Sequence, residues 1–386
     1  MQKLMTVLGI ESSCDDTAAS IVKLSTLTNK KITESNEKIL SSEILSSEIF
    51  SQANLHEKYG GVVPEIAARA HAESLNECVS LSLQQANTLT NELDLISVTA
   101  GPGLIGGLIS GVTFAKGLAL ALEKPLIGVN HLAGHALSPR LSELMSGKKN
   151  LKYPYLVLIA SGGHCQFLDT ISPSKFSRIG GTIDDSPGEA FDKVARLLGL
   201  GYPGGPIIEN RAKYGSAERF SLPRPLLDKP TCNMSFSGLK AATARKINEN
   251  IHNLFGTDKT DFINDLAASF ENAVLDILAK KSTLAMKVFK DKYKNKTDLC
   301  FCICGGVASN QKFRKSLEQI ANKNGFEFFA PPSRLCTDNG AMIAHAGAEK
   351  FLENGCNESE LAVRSRWPLD TDAVPLIGYG KRGAKG

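Results

Sequence analysis

The chain reads as a duplicated α/β fold, two lobes facing a central cleft, and three observations predict it. A run of three strands followed by alternating helices and strands occurs twice. At 386 residues the chain exceeds one typical domain. Its 42% apolar and 22% charged residues describe a globular protein with material for two cores.

The elements follow in order. Residues 4–11 form an apolar run that reads as a buried strand. The polar turn at 12–16 reverses the chain into a second strand at 18–24, and a third falls within 38–50. A helix is predicted at 64–86, opening on proline, then a strand at 93–99, a glycine-rich helix at 104–122, a strand at 125–130 and a helix bearing two histidines. The second copy places strands at 155–160, 165–170 and 177–183, a helix at 188–198 and a long helical section over 236–293. It closes with a strand at 299–304, a helix at 310–322, a strand at 326–330 and a helix at 338–352. The first lobe is therefore 1–150 and the second 151–352, whose last helix is free to pack back on the first. Residues 373–386, rich in Gly and Lys, read as a flexible tail. Between 23 and 54 lies a polar insertion containing ILSSEILSSEIF, a five-residue repeat that reads as a solvated surface segment lengthening a hairpin.

Composition excludes several classes. A net charge of +4 permits a nucleic-acid partner without demanding one. Nine cysteines without regular spacing argue against a secreted disulfide scaffold, and no C-x-x-C pair suggests a zinc knuckle. Cys300, Cys302 and Cys304 alternate, so they should share one face of a buried strand. The N-terminal apolar stretch is too short for a signal peptide, and the longest apolar run, 100–122, is broken by glycines and Lys116. A cytoplasmic protein outside the membrane is the expectation.

His131 and His135, in NHLAGHALSPRL, leave one helical face a turn apart, the spacing by which a helix supplies two metal ligands. No Glu follows the first His, so the general base of helix-borne metallopeptidases is missing. The pair needs a carboxylate from elsewhere, and Asp338 in TDNGAM is the candidate, although Asp there also serves as an N-cap. SGGH (161–164) turns between two strands and leaves backbone N–H groups free for an anion; an ordinary hairpin turn is the alternative. Asp15 and Asp16 occupy the matching turn of the first copy, where paired acids handle a cation or a proton. GYPGGP (201–206) and CGGVASN (304–310) are further glycine sites. Asn310 is placed to touch a base or ribose, or to cap a helix. Glu189 and Asp192 share a helix face beside the DDSPG turn. Gly101, Gly103 and Gly106 fit G-x-G-x-x-G, but the next strand ends in Asn130 and His131 and not in an acid, so a dinucleotide site is set aside.

Over residues 7–370 the chain resembles the tRNA adenosine threonylcarbamoyltransferase family in its bacterial TsaD form. The resemblance rests on GIESSCDDTAA, HEKYGGVVPEIAARAH, TAGPGLIGGLISG, NHLAGHA, SGGH, DDSPGEAFDKVARLLGLGYPGG, SFSGLKAA, CGGVASN, CTDNGAM and RWPLD. It implies the actin/Hsp70/sugar-kinase fold. It also implies transfer of a threonylcarbamoyl group from threonylcarbamoyl-adenylate to the exocyclic amine of the adenosine 3′ of the anticodon in tRNAs reading ANN codons. By the same resemblance His131, His135 and Asp338 bind one divalent ion, iron or zinc. Ile159, Ala160, Ser161, Gly162, Gly163, Asp192, Gly205, Glu209 and Asn310 bind substrate, and Asp15 and Asp16 are catalytic. The cleft of such a fold also accommodates ATP with magnesium. Expected partners are tRNA, an inert paralogue (TsaB) and a small ATPase (TsaE). The lysines of 287–296 are a candidate phosphate contact, and the helices at 64–86 and 104–122 are candidate docking faces. Cys165 and Phe167 depart from the more usual Thr and aliphatic residue after SGGH. An ATPase or kinase of the same fold is the alternative function, and a metallopeptidase a weaker one.

Overall fold

The computed structural model describes residues 2–27, 38–59, 61–147, 151–356 and 361–376. In the first half, β1 (Gln2–Glu11), β2 (Asp16–Leu27) and β3 (Lys38–Ser51) form an antiparallel meander. The short α1 (Ala53–Glu57) and α2 (Pro64–Gln85) follow, then β4 (Leu95–Gly101), α3 (Ile105–Leu122), β5 (Leu126–Asn130) and α4 (His131–Ser146). The second half repeats this with β6 (Tyr155–Ala160), β7 (Cys165–Ser172) and β8 (Lys175–Gly181). Helices α5 (Pro187–Leu197), α6 (Gly204–Ala212), α7 (Ser237–Asn250) and α8 (Gly256–Lys292) come next, then β9 (Cys300–Cys304), α9 (Gln311–Lys323), β10 (Glu327–Phe329) and α10 (Gly340–Asn354).

The sheet orders are β3-β2-β1-β4-β5 and β10-β9-β6-β7-β8. Read from the centre, they are the same sheet: a hairpin on one side, two parallel strands on the other. The duplication is therefore structural as well as sequential. The predicted long helical section is two helices, α7 and α8, separated by a single turn of tighter helix at Ile251–Asn253. Helix α6 went unread because its glycine–proline opening resembles a loop.

The repeat ILSSEILSSEIF lies in the third strand read within 38–50 and is not a merely solvated segment. It is edge strand β3, paired along β2, with register breaks that skip Leu40 and Leu45. These leucines are equivalent positions of the five-residue repeat. A period of five reverses the exposed face at each repeat, and one bulged residue per repeat restores the phase. Residues 28–37 of the expected insertion lie outside the described residues, as do 377–386 of the expected tail. Residues 373–376 lie against β8: the Arg178 guanidinium donates to the Val374 carbonyl, and a Cβ on Gly181 would meet Leu376 at 2.8 Å.

Helix α4 is buried from His131 through Leu141. Leu137, Leu141 and Leu144 pack with α10 against the first sheet, while Leu132, Ala133 and Ala136 pack against β6 and β9 of the second. Cys300, Cys302 and Cys304 form part of that second surface, and Phe301 and Ile303 face the opposite core, as the alternation predicts. All nine cysteines are free. Pro139 removes the donor for the His135 carbonyl, and the Ser138 hydroxyl takes its place at 2.8 Å. Helix α10 follows β10 in sequence but lies on β1, β2, β4 and α4.

A C-terminal strap joins the halves. The Arg364 N–H donates to the Ala100 carbonyl (2.9 Å), the Trp367 carbonyl accepts from the Asn130 side chain (2.8 Å), and Asp370 accepts from the Arg178 N–H in β8 (2.7 Å). Helix α3 is long and apolar enough to cross a membrane by length and composition. One face packs on α2 and β4, and Ile105, Ile109 and Leu120 stand exposed on it.

Helices α4 and α10 are clamped by a buried ion pair. Arg140 Nε and Nη2 lie 2.9 and 2.8 Å from Glu349 Oε1, the Tyr153 hydroxyl donates to Glu349, and His345 Nε2 is 3.3 Å away. Burial opposes ionisation of Glu349, but the Arg140 charge outweighs it and holds this carboxyl well below the usual range. Glu349→Leu strands a guanidinium in the core and is expected to cost about 3 to 5 kcal/mol. Urea unfolding measures it; a loss below about 1 kcal/mol would contradict the clamp.

Candidate metal centre and substrate cleft

Asn130 caps α4, its side chain accepting from the Leu132 N–H at 2.9 Å, and so sets the first turn that carries His131. The His131 and His135 rings stand edge to face, with centroids 4.7 Å apart. Their Nε2 atoms lie 3.6 and 3.1 Å from Asp338 Oδ1. The three candidate ligand atoms all fall within 4.8 Å of one another. Asp338 reaches them because it does not cap α10. Asn339 does so, accepting from the Met342 N–H at 2.9 Å, so the capping alternative for Asp338 is overturned by its neighbour.

Glu11, which sequence reasoning missed, orients the centre from behind. Fully buried at the end of β1, it accepts from the Ser13 N–H (2.6 Å) and the Thr99 hydroxyl (2.6 Å), and lies 2.9 Å from His131 Nδ1. Held through Nδ1 by this carboxylate, His131 turns its Nε2 toward Asp338, the orientation that presents imidazole to a metal. Burial disfavours a charge on His131, yet the Glu11 and Asp338 carboxylates outweigh it and raise the imidazole to about 9. Asp338 is held far below the ordinary carboxylate range: burial acts against this, and the His131 and His135 charges prevail. Two imidazole nitrogens and one carboxylate oxygen, converging and backed by a second carboxylate, fit a divalent ion of the iron or zinc type. The only sequence signal for Glu11 was an acid ending an otherwise apolar strand.

The acidic turn stands beside this centre. Ser13 Oγ is 3.1 Å from His131 Nδ1. His71 supports the turn from α2, its Nδ1 2.7 Å from the Thr17 hydroxyl and its Nε2 3.1 Å from the Cys14 carbonyl. Asp16, at the start of β2, is raised to about 6, first by burial and then by the charges of Asp15, Asp338 and Glu11. The glycines of the rejected dinucleotide pattern explain themselves here. A Cβ on Gly103 would meet the Ser13 carbonyl at 2.5 Å, and one on Gly106 the Ala68 Cβ at 2.7 Å; on Gly107, next to the pattern, it would meet the Ser12 carbonyl at 2.4 Å. They let the start of α3 close on the turn and on α2.

The second half contributes a ring of turns. Ile159 and Ala160 end β6 with both side chains in the cores, so only their backbone is available to a ligand. Ser161 closes the SGGH turn, its N–H donating to the His164 carbonyl at 2.8 Å, while Gly162 and Gly163 face open space. Gly188 packs on this turn, and the Ser186 hydroxyl, capping α5, donates to the Gly162 carbonyl. Asp192 caps α6 through the Gly204 N–H (2.8 Å), and Gly205 faces open space. Glu209 accepts from the Gln311 N–H (3.0 Å). Asn310 caps α9, its oxygen accepting from the Phe313 N–H (3.0 Å) and its amide donating to Glu271 (2.8 Å). Glu189 pairs with Lys193 at 3.1 Å. Ile159, just ahead of the SGGH turn, packs in one cluster with Leu132 and Ala133 of α4, which sets that turn beside the helix of the metal centre.

Fold and site define a two-lobed α/β protein of the actin/Hsp70-like class with a two-histidine, one-carboxylate centre in its cleft. HypF from T. kodakarensis superposes over 93% of this chain and 50% of its own with a TM-score of 0.55 at 14% identity. A second HypF structure, in a phosphate- and nucleotide-bound form, gives 0.51 over 92% and 47% at 13% identity. The model of the family described as TsaD, tRNA N6-adenosine threonylcarbamoyltransferase, matches residues 43–345. Proteins of that name from Roseobacter denitrificans and Ruegeria pomeroyi are 52% and 51% identical over the whole of both chains. One from Paracoccus denitrificans is 51% identical over 99% of each. The chain belongs to the tRNA N6-adenosine threonylcarbamoyltransferase family, a family of acyltransferases.

Glu11→Gln keeps the size of the side chain and removes the charge behind His131. Zinc affinity, measured by competition with a chelator, is expected to fall about 10- to 100-fold. Unchanged affinity would remove Glu11 from the centre.

Proposed function

We propose that this chain transfers the threonylcarbamoyl group of threonylcarbamoyl-adenylate to the exocyclic amine of the adenosine 3′ of the anticodon in tRNAs reading ANN codons. The observation that carries the reading is the convergence of His131, His135 and Asp338 beside the acidic turn, in a chain about half identical to enzymes of that name. The donor is a mixed anhydride and already activated; the acceptor is a weakly nucleophilic aromatic amine. The protein's work is therefore orientation and charge stabilisation.

His131, His135 and Asp338 would hold the divalent ion, which when bound would supply a Lewis acid toward the threonylcarbamoyl group. The open N–H groups around Gly162, Gly163 and Gly205 receive the adenylate phosphate and keep it in place as the leaving group. Asp192, Glu209 and Asn310 fix the three turns that surround it. Asp16 takes the proton that the amine loses, and Asp15 orients the acceptor from the same turn. The exposed apolar face of α3, with α2 beside it, is the docking face for the partner of similar fold, and a small ATPase completes the set.

Single-turnover transfer to unmodified tRNA, with the partners present, tests the reaction. Wild type is expected to transfer and His131→Ala/His135→Ala to lose it; no transfer by wild type returns the ATPase reading. The proton acceptor has its own signature. Asp16 accepts a proton only when ionised, and its carboxyl lies at about 6, so the rate should fall as pH drops below about 6. Asp16→Asn should be slow and lack that limb. If Asp15→Ala and Asp16→Ala both transferred at the wild-type rate, the acidic turn would have no part in the chemistry.

A further inference from the structure

On the far end of α8 lies a cleft of about 460 Å³, between that helix and residues 227–230, that the transfer site does not use. Lys229, Lys280, Lys281, Lys287 and Lys290 line it, against one carboxylate, Asp228. This excess of four positive charges equals the net charge of the whole chain. Lys229, Lys280, Lys287 and Lys290 are exposed and make no ion pair among the described residues. Further along, Lys292 and Lys296 are already paired with Asp169 and Asp298.

The cleft is built and not an accident of mobile side chains. Lys281 is buried, and its ammonium donates to the carbonyls of Lys229 (2.9 Å) and Thr231 (2.8 Å). It thereby ties the loop carrying Lys229 onto α8. Lys280, Lys287 and Lys290 sit at i, i+7 and i+10, on one side of the helix. The floor between them is apolar, with Leu284 and Phe326.

Distance decides the class of ligand. Glu271 of α8 holds Asn310 and Lys312 beside the ring of turns. At 1.5 Å per residue the cleft lysines lie about 14 to 29 Å further along the helix. A bound adenylate does not span that gap, whereas a folded RNA does. We propose that this cleft grips the phosphate backbone of the tRNA away from the reacting adenosine, a contact independent of sequence. The proposal rests on tRNA being the substrate.

The test uses the full-length protein and the substitution Lys280→Gln/Lys287→Gln/Lys290→Gln, with three Lys→Arg changes as control. Equilibrium tRNA binding is measured over a range of salt. The log–log salt slope is expected to become shallower by about 1 per lysine removed, about 3 in all. Affinity at low salt should fall at least about tenfold for every tRNA tried, and the arginine control should restore both. Zinc binding and the urea midpoint should not move. Equal affinity and slope in the glutamine variant, with wild type binding tRNA, overturns this inference and leaves the transfer reading intact. If inorganic pyrophosphate binds the wild-type cleft while tRNA affinity is unaffected by the variant, the cleft serves a small anion and the inference also fails. Absence of tRNA binding by wild type defeats both.

Discussion

Helix α4 has no solvent face over its first three turns. One side meets α10 and the first sheet, the other meets β6 and β9 of the second, so the element that carries both histidines is also the wall shared by the two halves. A helix packed at interior density on every side cannot rotate without repacking both cores. His131 and His135 are thereby held in one orientation, and the site needs no loop closure to bring them together. The Arg140–Glu349 pair and the Ser138 hydroxyl fix the same helix along its length.

The position of Asp338 follows from that constraint. It precedes α10, and α10 is clamped to α4, so a carboxylate two hundred residues away in sequence arrives at the histidines. Capping by Asn339 frees it to do so. On the other side of His131, Glu11 reaches the ring from the central strand of the first sheet. The centre is thus assembled from β1, α4 and the residue ahead of α10, and α10 packs on both of the others.

Glycine has two opposite uses here. At Gly103, Gly107 and Gly188 the missing Cβ permits backbone to approach backbone and shapes the turns. At Gly162, Gly163 and Gly205 nothing lies where a Cβ would go, which leaves the backbone there uncrowded. Both kinds look alike in the sequence. The polar residues of the second half hold turns in place: Asp192 accepts from the Gly204 N–H and Asn310 from the Phe313 N–H.

What the sequence determined by itself is what short-range rules encode. Strand and helix periods recovered the duplicated order, the alternation of Cys300, Cys302 and Cys304 gave their shared face, and the i, i+4 spacing put two imidazoles on one side of a helix. The family motifs supplied the reaction and Asp338. The tertiary structure alone decided the rest. Glu11 acquires its role only when β1 and α4 meet, because a lone acid at the end of a strand has no local signature. The five-residue repeat, read within a third strand, keeps one face against β2 only because bulges restore its phase, a matter of pairing and not of composition. The lysines of α8 became a cleft only when the loop carrying Lys229 folded onto them through Lys281. In each case the deciding contact joins residues far apart in the chain, and such contacts are set by how the two cores pack.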